Sequence, residues 1–264
     1  MHITLDKTYS LLIIKINKQM KYFLTILLLL PIILNAQIRI SLESGSVTTG
    51  YNDVRVPNGD QNAGTLFSFT DDFESDESVI FFRGELAYTI NNKHTLEATA
   101  VPLTRNYNIN TDREINFAGN SFQGEGITGS YQFNTYRFSY RYRLVNRAKF
   151  KFDLGASLLV RDARIALTQS GLTSDDTDLG YVPLVSFELD YAPTEKLSIL
   201  LKGDALVGPV GRAEDVFAGI LYDVYKDRLQ LKAGYRIIEG GADVEQVYNF
   251  ALFHFVDVGV VFRL

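Results

Sequence analysis

The chain has 264 residues and a formal net charge of −5, with 46% hydrophobic and 22% charged residues, ordinary proportions for a folded protein. It carries no cysteine and three histidines, His2, His94 and His254. That excludes disulfides, thiolate metal sites and thiol nucleophiles and leaves no basis for a histidine-rich centre, so neither metal nor cofactor is expected. An acidic balance without a basic block argues against nucleic acid as a partner.

The first element in chain order is an address. Met20-Lys21 precedes an apolar run of 13 residues, Tyr22 to Leu34, followed by Asn35-Ala36-Gln37. A basic start, a short apolar run and a small residue read as a secretory signal peptide cleaved after Ala36. The run is shorter than the roughly 20 residues that a spanning helix needs. Residues 1–19, with Lys15 and Lys18 near Leu11–Ile14, fit no part of such a segment, and the expected start is Met20. The alternative is a long leading region. Removing residues 1–36 takes away Lys7, Lys15, Lys18, Lys21 and Asp6. The mature domain, 37–264, then has 22 basic and 30 acidic residues, net −8.

From Ile38 onward period two dominates, the mark of strands with two unlike faces. Val79–Ile90 sets Ile80, Phe82, Leu86 and Tyr88 against Arg83, Glu85 and Thr89. Tyr136–Leu144 sets Tyr136, Phe138, Tyr140 and Tyr142 against Arg137, Ser139, Arg141 and Arg143. Phe150–Val160, Leu197–Val207 and Leu229–Ile237 repeat the pattern. Short polar links at 91–94, 146–149, 193–196 and 226–228 alternate with longer Gly/Asn/Asp-rich stretches near 52–77, 106–130, 169–179, 208–214 and 239–246. This is the plan of an antiparallel up-and-down transmembrane β-barrel, with short turns on one side of the membrane and outward loops on the other. The expected strands start near Ile38, Val79, Thr95, Tyr131, Phe150, Tyr181, Leu197, Asp215, Leu229 and Val247. That makes about ten, with eight as the alternative.

In a soluble β-protein the apolar face would point inward; in a membrane barrel it points outward. Three features favour the membrane. Aromatics crowd the strand ends on the apolar faces (Tyr88, Tyr136, Tyr142, Phe150, Tyr191, Tyr222, Phe262). Gly84, Ala98, Ala156, Gly203 and Ala218 interrupt those faces and would fill a core poorly. The polar faces carry charges of both signs at mid-strand, which can pair inside a narrow lumen. The expected lumen network is Arg83, Glu85, Glu97, Arg137, Arg141, Asp153, Glu188, Lys202, Asp204, Lys232 and Arg236. Arg39, Glu43, Arg143, Lys151, Arg161, Asp190, Asp223, Asp257 and Arg263 share the same inward parity. Signs in this set nearly balance, so the surplus negative charge falls to the loops.

The final segment, Tyr248 to Leu264, is an amphipathic strand that resembles the closing strand of bacterial outer-membrane barrels. That resemblance implies recognition by the outer-membrane insertion machinery. The family usually ends in an aromatic residue, whereas here Leu264 follows Phe262 by two. Asn52–Pro57, Gly64–Phe67, Glu239–Asp243 and Val247–Phe250 also resemble segments of small outer-membrane proteins of Gram-negative bacteria. The likeness implies an outer-membrane location, contact with its lipid and a monomer, but no activity.

Enzymatic chemistry has one candidate. Lipid A deacylase barrels carry a His-x-Ser-Asn-x-Gly stretch, and Leu252–Gly259 is similar to it at His254 and Gly259. Val256 stands in the nucleophile's place and Asp257 in that of the asparagine, so no hydroxyl can form an acyl-enzyme by that route. By alternation His254 shares a face with Leu252 and Val258, near the outer interface or a bulge. Asp71–Glu77 places five carboxylates in seven residues, without EF-hand spacing, and reads as a solvated acidic loop. Tyr107, Phe117 and Phe122, in the stretch 106–129, could contact sugars or a partner if displayed on an outer loop. The expected function is a non-enzymatic structural or narrow small-solute barrel with a charged lumen. A lipid-modifying enzyme of the same fold and a barrel that binds or adheres through its loops are the alternatives.

Overall fold

The computed structural model describes residues 36–75, 78–209, 211–226 and 228–264. The expected signal peptide, up to its last residue, lies outside them. The described elements are all strands: β1 (Ala36–Arg55), β2 (Phe67–Ser68), β3 (Glu74–Ser75), β4 (Val79–Ile90), β5 (His94–Val101), β6 (Thr104–Phe117), β7 (Asn120–Arg147), β8 (Phe150–Gln169), β9 (Leu172–Tyr191), β10 (Leu197–Gly208), β11 (Gly211–Tyr225), β12 (Leu229–Asp243) and β13 (Tyr248–Arg263).

Pairing is antiparallel throughout, and the ring closes through β1–β13 and β7–β8. β5 and β6 pair with the two halves of the same neighbour, β7. They form one strand interrupted at Pro102, whose nitrogen has no hydrogen to give to a ladder. Counted so, ten strands close the barrel. At the turn end, Ile38 and Leu264 exchange backbone hydrogen bonds of 3.4 and 2.9 Å. Every strand start on this end falls within two residues of its expected position.

The outer end corrects the expectation of five long loops. Only 56–78 is a long connection, and even there β2 adds to β1 and β3 to β6. The other stretches are strands that continue beyond the bilayer. β6 and β7 turn at Ala118-Gly119, and β8 and β9 turn at Ser170-Gly171. All four of these residues have positive φ (47°, 83°, 51° and 85°), which suits two-residue hairpin turns. Gly, Asn and Asp content suggested loops, but cross-strand pairs such as Thr168↔Thr173 and Arg164↔Thr177 satisfy the backbone as a ladder instead. Tyr107, Phe117 and Phe122 are accordingly buried. They are not displayed to sugars.

Side chains follow the inverted arrangement. Phe82 and Phe138 are 66% and 61% exposed, and Leu86, Leu154, Leu201 and Leu231 lie on the same outer wall. Arg83 and Arg137, one residue along from them, are 3% and 4% exposed. A soluble fold would reverse this; in lipid the outer wall is the apolar one. Tyr88, Tyr142, Phe150, Tyr191, Tyr222 and Phe262 ring the turn end of that wall, while Tyr136 sits higher, in one cross-strand row with Val160 and Tyr181.

Candidate functional site: the barrel interior

Two layers fill the lumen. The layer nearer the turns is charged. Strand alternation sends every second side chain inward, and the register brings opposite charges from distant parts of the chain together. Arg39 reaches Glu188 at 2.9 Å and Glu97 at 3.1 Å. Arg141 donates to Glu97 at 2.7 Å and to Glu188 at 3.1 Å. Lys202 joins Glu97 (2.6 Å) to Glu85 (2.8 Å). Arg83 joins Glu85 (2.9 Å) to Asp215 (3.0 Å), and Arg137 joins Asp215 (2.9 Å) to Asp204 (2.8 Å). Arg236 connects Asp215, Glu43 and Asp257, and Lys232 also pairs with Glu43. Seven cations and seven carboxylates thus form one connected, neutral set. Hydroxyls take up further valences: Ser157 donates to Asp204, Ser41 to Glu43, and Ser186 accepts from Arg141. Apart from Arg39 and Glu188 at the turn-side edge, no side chain of the set keeps more than 5% of its surface. A water column at this level would expose them. Asp153 faces inward too but stands apart, paired with Arg143 at 2.8 Å.

The residue absent from the expected network is its hub. Asp215 accepts from Arg83, Arg137 and Arg236. The strand expected to start there has Ala218 and Tyr222 outward and Asp223 inward, and the same alternation marks Asp215 as inward although the expected network omits it. Phe217 is a second surprise, a buried ring in the charged layer. The Lys232 ammonium lies 4.1 Å from its centroid and the Arg236 guanidinium 5.1 Å, so the π-face offsets part of their desolvation. Gly219 and Gly234 make room for it, since a Cβ at either would lie within 2.6 Å of the ring.

The outer layer is aromatic. A bulge at Gly50 shifts the register of β1 between Thr49 and Tyr51 and turns Asn52, Val54 and Val56 inward. The described segment 56–75 folds down into the mouth and inserts Phe67, Phe69 and Phe73. The Phe69 ring stacks on Tyr107 at 4.5 Å and meets Phe73 at 4.7 Å. Tyr131, Phe133 and Phe253 complete the layer. Buried hydroxyls are satisfied: Tyr107 pairs with Thr49 and Tyr131 donates to Asn249. Arg113 pins the segment from above through the Leu66 carbonyl (2.9 Å) and Asp72 (3.1 Å). Asp72 also accepts from the Ser68 amide, so this part of the acidic run holds the plug in place. Asp76 and Glu77 lie outside the described residues. Among the described residues no group of His, Asp and Glu is placed to hold a metal ion. Above the lipid-facing band, burial and then the Asp178 and Asp175 carboxylates push the Asp176 carboxyl up.

His254 faces outward. Its Nδ1 meets the Tyr235 hydroxyl, and Gly50 lies against it, where a Cβ would come within 2.6 Å of Nε2. Asp257, pointing inward from the same strand, is on the opposite face, so the two do not form a dyad.

No family model and no curated relative matches the sequence. Among solved structures the chain is similar to the outer-membrane protease OmpT from Escherichia coli, with a TM-score of 0.53 at 9% identity over 86% of this chain and 97% of that one. It is more distantly similar to Ail, the attachment invasion locus protein of Yersinia pestis (TM-score 0.37, 12% identity, 87% and 99% covered). Neisserial surface protein A is similarly distant (0.33, 14%, 86% and 96%). The first likeness concerns the fold alone, and the lower scores carry no argument of their own. With apolar side chains outward, charges inward and the ring closed, the chain is an integral β-barrel of the bacterial outer membrane.

Proposed function

We propose that this protein is a closed, non-catalytic barrel whose lumen is occupied by its own side chains. The observation that carries this reading is the pair of stacked layers, a neutral ion-pair set below and an aromatic plug above, both almost without accessible surface. A barrel of about ten strands is far narrower than the 16–18-stranded porins that hold a wide aqueous channel. Paired charges bind each other in preference to a passing ion, which sets no strong selectivity. Against a hydrolytic role stand Val256 in the place of a serine nucleophile and the outward direction of His254. The expected role is structural, with the outer wall in lipid and the last strand, paired on both sides, as the contact for the insertion machinery.

Planar-bilayer recording of the purified barrel tests the reading. The expected trace shows no steady conductance at low or high salt. Large, steady, ion-selective openings of the wild-type protein would overturn it.

A further inference from the structure

The charge left over by the neutral lumen is not spread evenly along the barrel axis. Each of the four turn-side connections carries a Lys or Arg at an equivalent place: Lys93, Lys149, Lys196 and Arg228. In each, the cation's own backbone carbonyl accepts a hydrogen bond from a neighbouring segment. Lys93 accepts from Arg143 at 2.8 Å, Lys149 from Ala192 at 2.9 Å, Lys196 from Asp223 at 2.8 Å and Arg228 from Arg263 at 2.9 Å. The cations therefore stand on a rim that is knitted together. The outer turns at 118–119 and 170–171 and the described part of the 208–211 turn hold no cation.

This rim surrounds an open recess at the turn-side mouth. Seven Lys and Arg side chains line it against three acidic side chains, Asp190, Glu195 and Asp223. Beneath it a smaller cavity of about 90 Å³ reaches inward past Lys151, Arg263 and Arg143 to Arg39. Arg39 and Arg143 are engaged by Glu188 and Asp153. Residues such as Gln37, Asn146, Thr194 and Gln230 add polar groups to the lining, beside a smaller apolar share that includes Pro193 and Val224, so charge is what sets this recess apart. A cationic surplus at the mouth runs against the acidic composition of the chain, and the neutral ion-pair set of the lumen does not use it. Arg143 is taken by Asp153, while Asp190 and Asp223 face Arg263 and leave Lys149, Lys196 and Arg228 in excess. Clefts in which one sign of charge prevails concentrate ligands of the other.

We propose that this mouth is a docking surface for the carboxylate-bearing cell-wall polymer that lies beneath the outer membrane. Lys149, Lys196 and Arg228 take its carboxylates at the rim, and Lys151 and Arg263 take one that enters the recess. The direction of the cations favours a polymer over lipid: they line the axial mouth and not the lipid-facing wall. Docking of this kind tethers the outer membrane to the wall at low affinity per site and gains strength from the many barrels on one sheet of polymer.

Co-sedimentation of the full mature barrel, held in zwitterionic lipid nanodiscs, with purified peptidoglycan sacculi provides the test. Wild type is expected to sediment with sacculi, to release as salt rises and to ignore sacculi whose carboxyls have been amidated. The K149E/K196E/R228E variant is expected to bind about tenfold more weakly, a change that three weak surface charge contacts can supply, while keeping its heat-modifiable gel migration. If that variant does not fold, K149Q/K196Q is expected to give an intermediate loss in the same assay. Equal sedimentation of wild type and folded variant, no sedimentation of wild type at low salt, or binding to vesicles of anionic phospholipid as strong as to sacculi would each overturn the proposal.

Discussion

Arg83 on β4 and Asp215 on β11 are 132 positions apart in sequence, yet Nη1 of the one lies 3.0 Å from Oδ2 of the other across the lumen. Their strands are not ladder neighbours, so the contact ties together opposite parts of the wall and makes the interior a cross-brace. Removing Asp215 leaves Arg83, Arg137 and Arg236 each short of a carboxylate in a space that water barely enters. Asp215→Ala should therefore cost about 3–5 kcal/mol, the usual penalty for orphaning a buried charge. The temperature at which the barrel loses its heat-modifiable gel migration should fall clearly. Glu85→Ala and Arg137→Ala are expected to act in the same direction, and Arg164→Ala, an exposed outer pair with Asp175, should change little. Equal heat stability of Asp215→Ala and the parent would remove the brace.

The orientation of the strands can be read by chemical labelling. Cysteine placed at Leu154 should resist a water-soluble thiol reagent in intact outer membranes and react with a lipid-phase one. Leu86→Arg, near the middle of the lipid-facing wall, should destabilise the barrel by roughly 2–4 kcal/mol in urea titrations of protein in vesicles. Water-phase labelling at position 154 as rapid as at a loop position such as 60 would reverse the assignment of faces.

The aromatic plug depends on Gly129. A Cβ there would lie 2.3 Å from Cε1 of Phe69, and Phe69 is held between Tyr107 and Phe73 with no free side to move to. Gly129→Val should displace the ring, at about 1–3 kcal/mol as for other overpacked cores, and loosen the segment 56–78. Limited proteolysis would then cut between Val56 and Val79 in the variant well before the parent. Removing the rings as well, with Phe67→Ala and Phe69→Ala, should make the segment still more susceptible while the strands stay protected. An unchanged cleavage pattern in all three variants would mean that the rings do not hold the segment in place.

Export provides the remaining prediction. The mature chain is expected to begin at Gln37, because the apolar run ends at Leu34 and Ala36 is the first small residue after it. N-terminal sequencing of membrane-extracted protein, after unblocking a pyroglutamate, checks this; retention of residues 20–36 would refute it.

Much of this molecule follows from its sequence because a barrel wall is a local object. The period of two is exact in covalent geometry, so once one face is known to be apolar, every inward residue on a regular strand is known. That is why Arg83, Glu85, Glu97, Arg137, Arg141, Asp153, Glu188, Lys202, Asp204, Lys232 and Arg236 could all be assigned to the lumen, and why the turn-side strand ends could be placed. Beyond the bilayer the contrast between faces fades, since both sides of a strand tolerate polar residues there. The ladders of β6–β7 and β8–β9 therefore looked like loops. The tertiary structure alone decided three things, each a matter of distances between segments far apart in the chain. It placed Asp215 among three arginines, it folded Phe67, Phe69 and Phe73 back into the mouth onto Gly129 and Tyr107, and it split the lumen into a charged layer and an aromatic one. Alternation says which way a side chain points; only closure of the ring says what it meets.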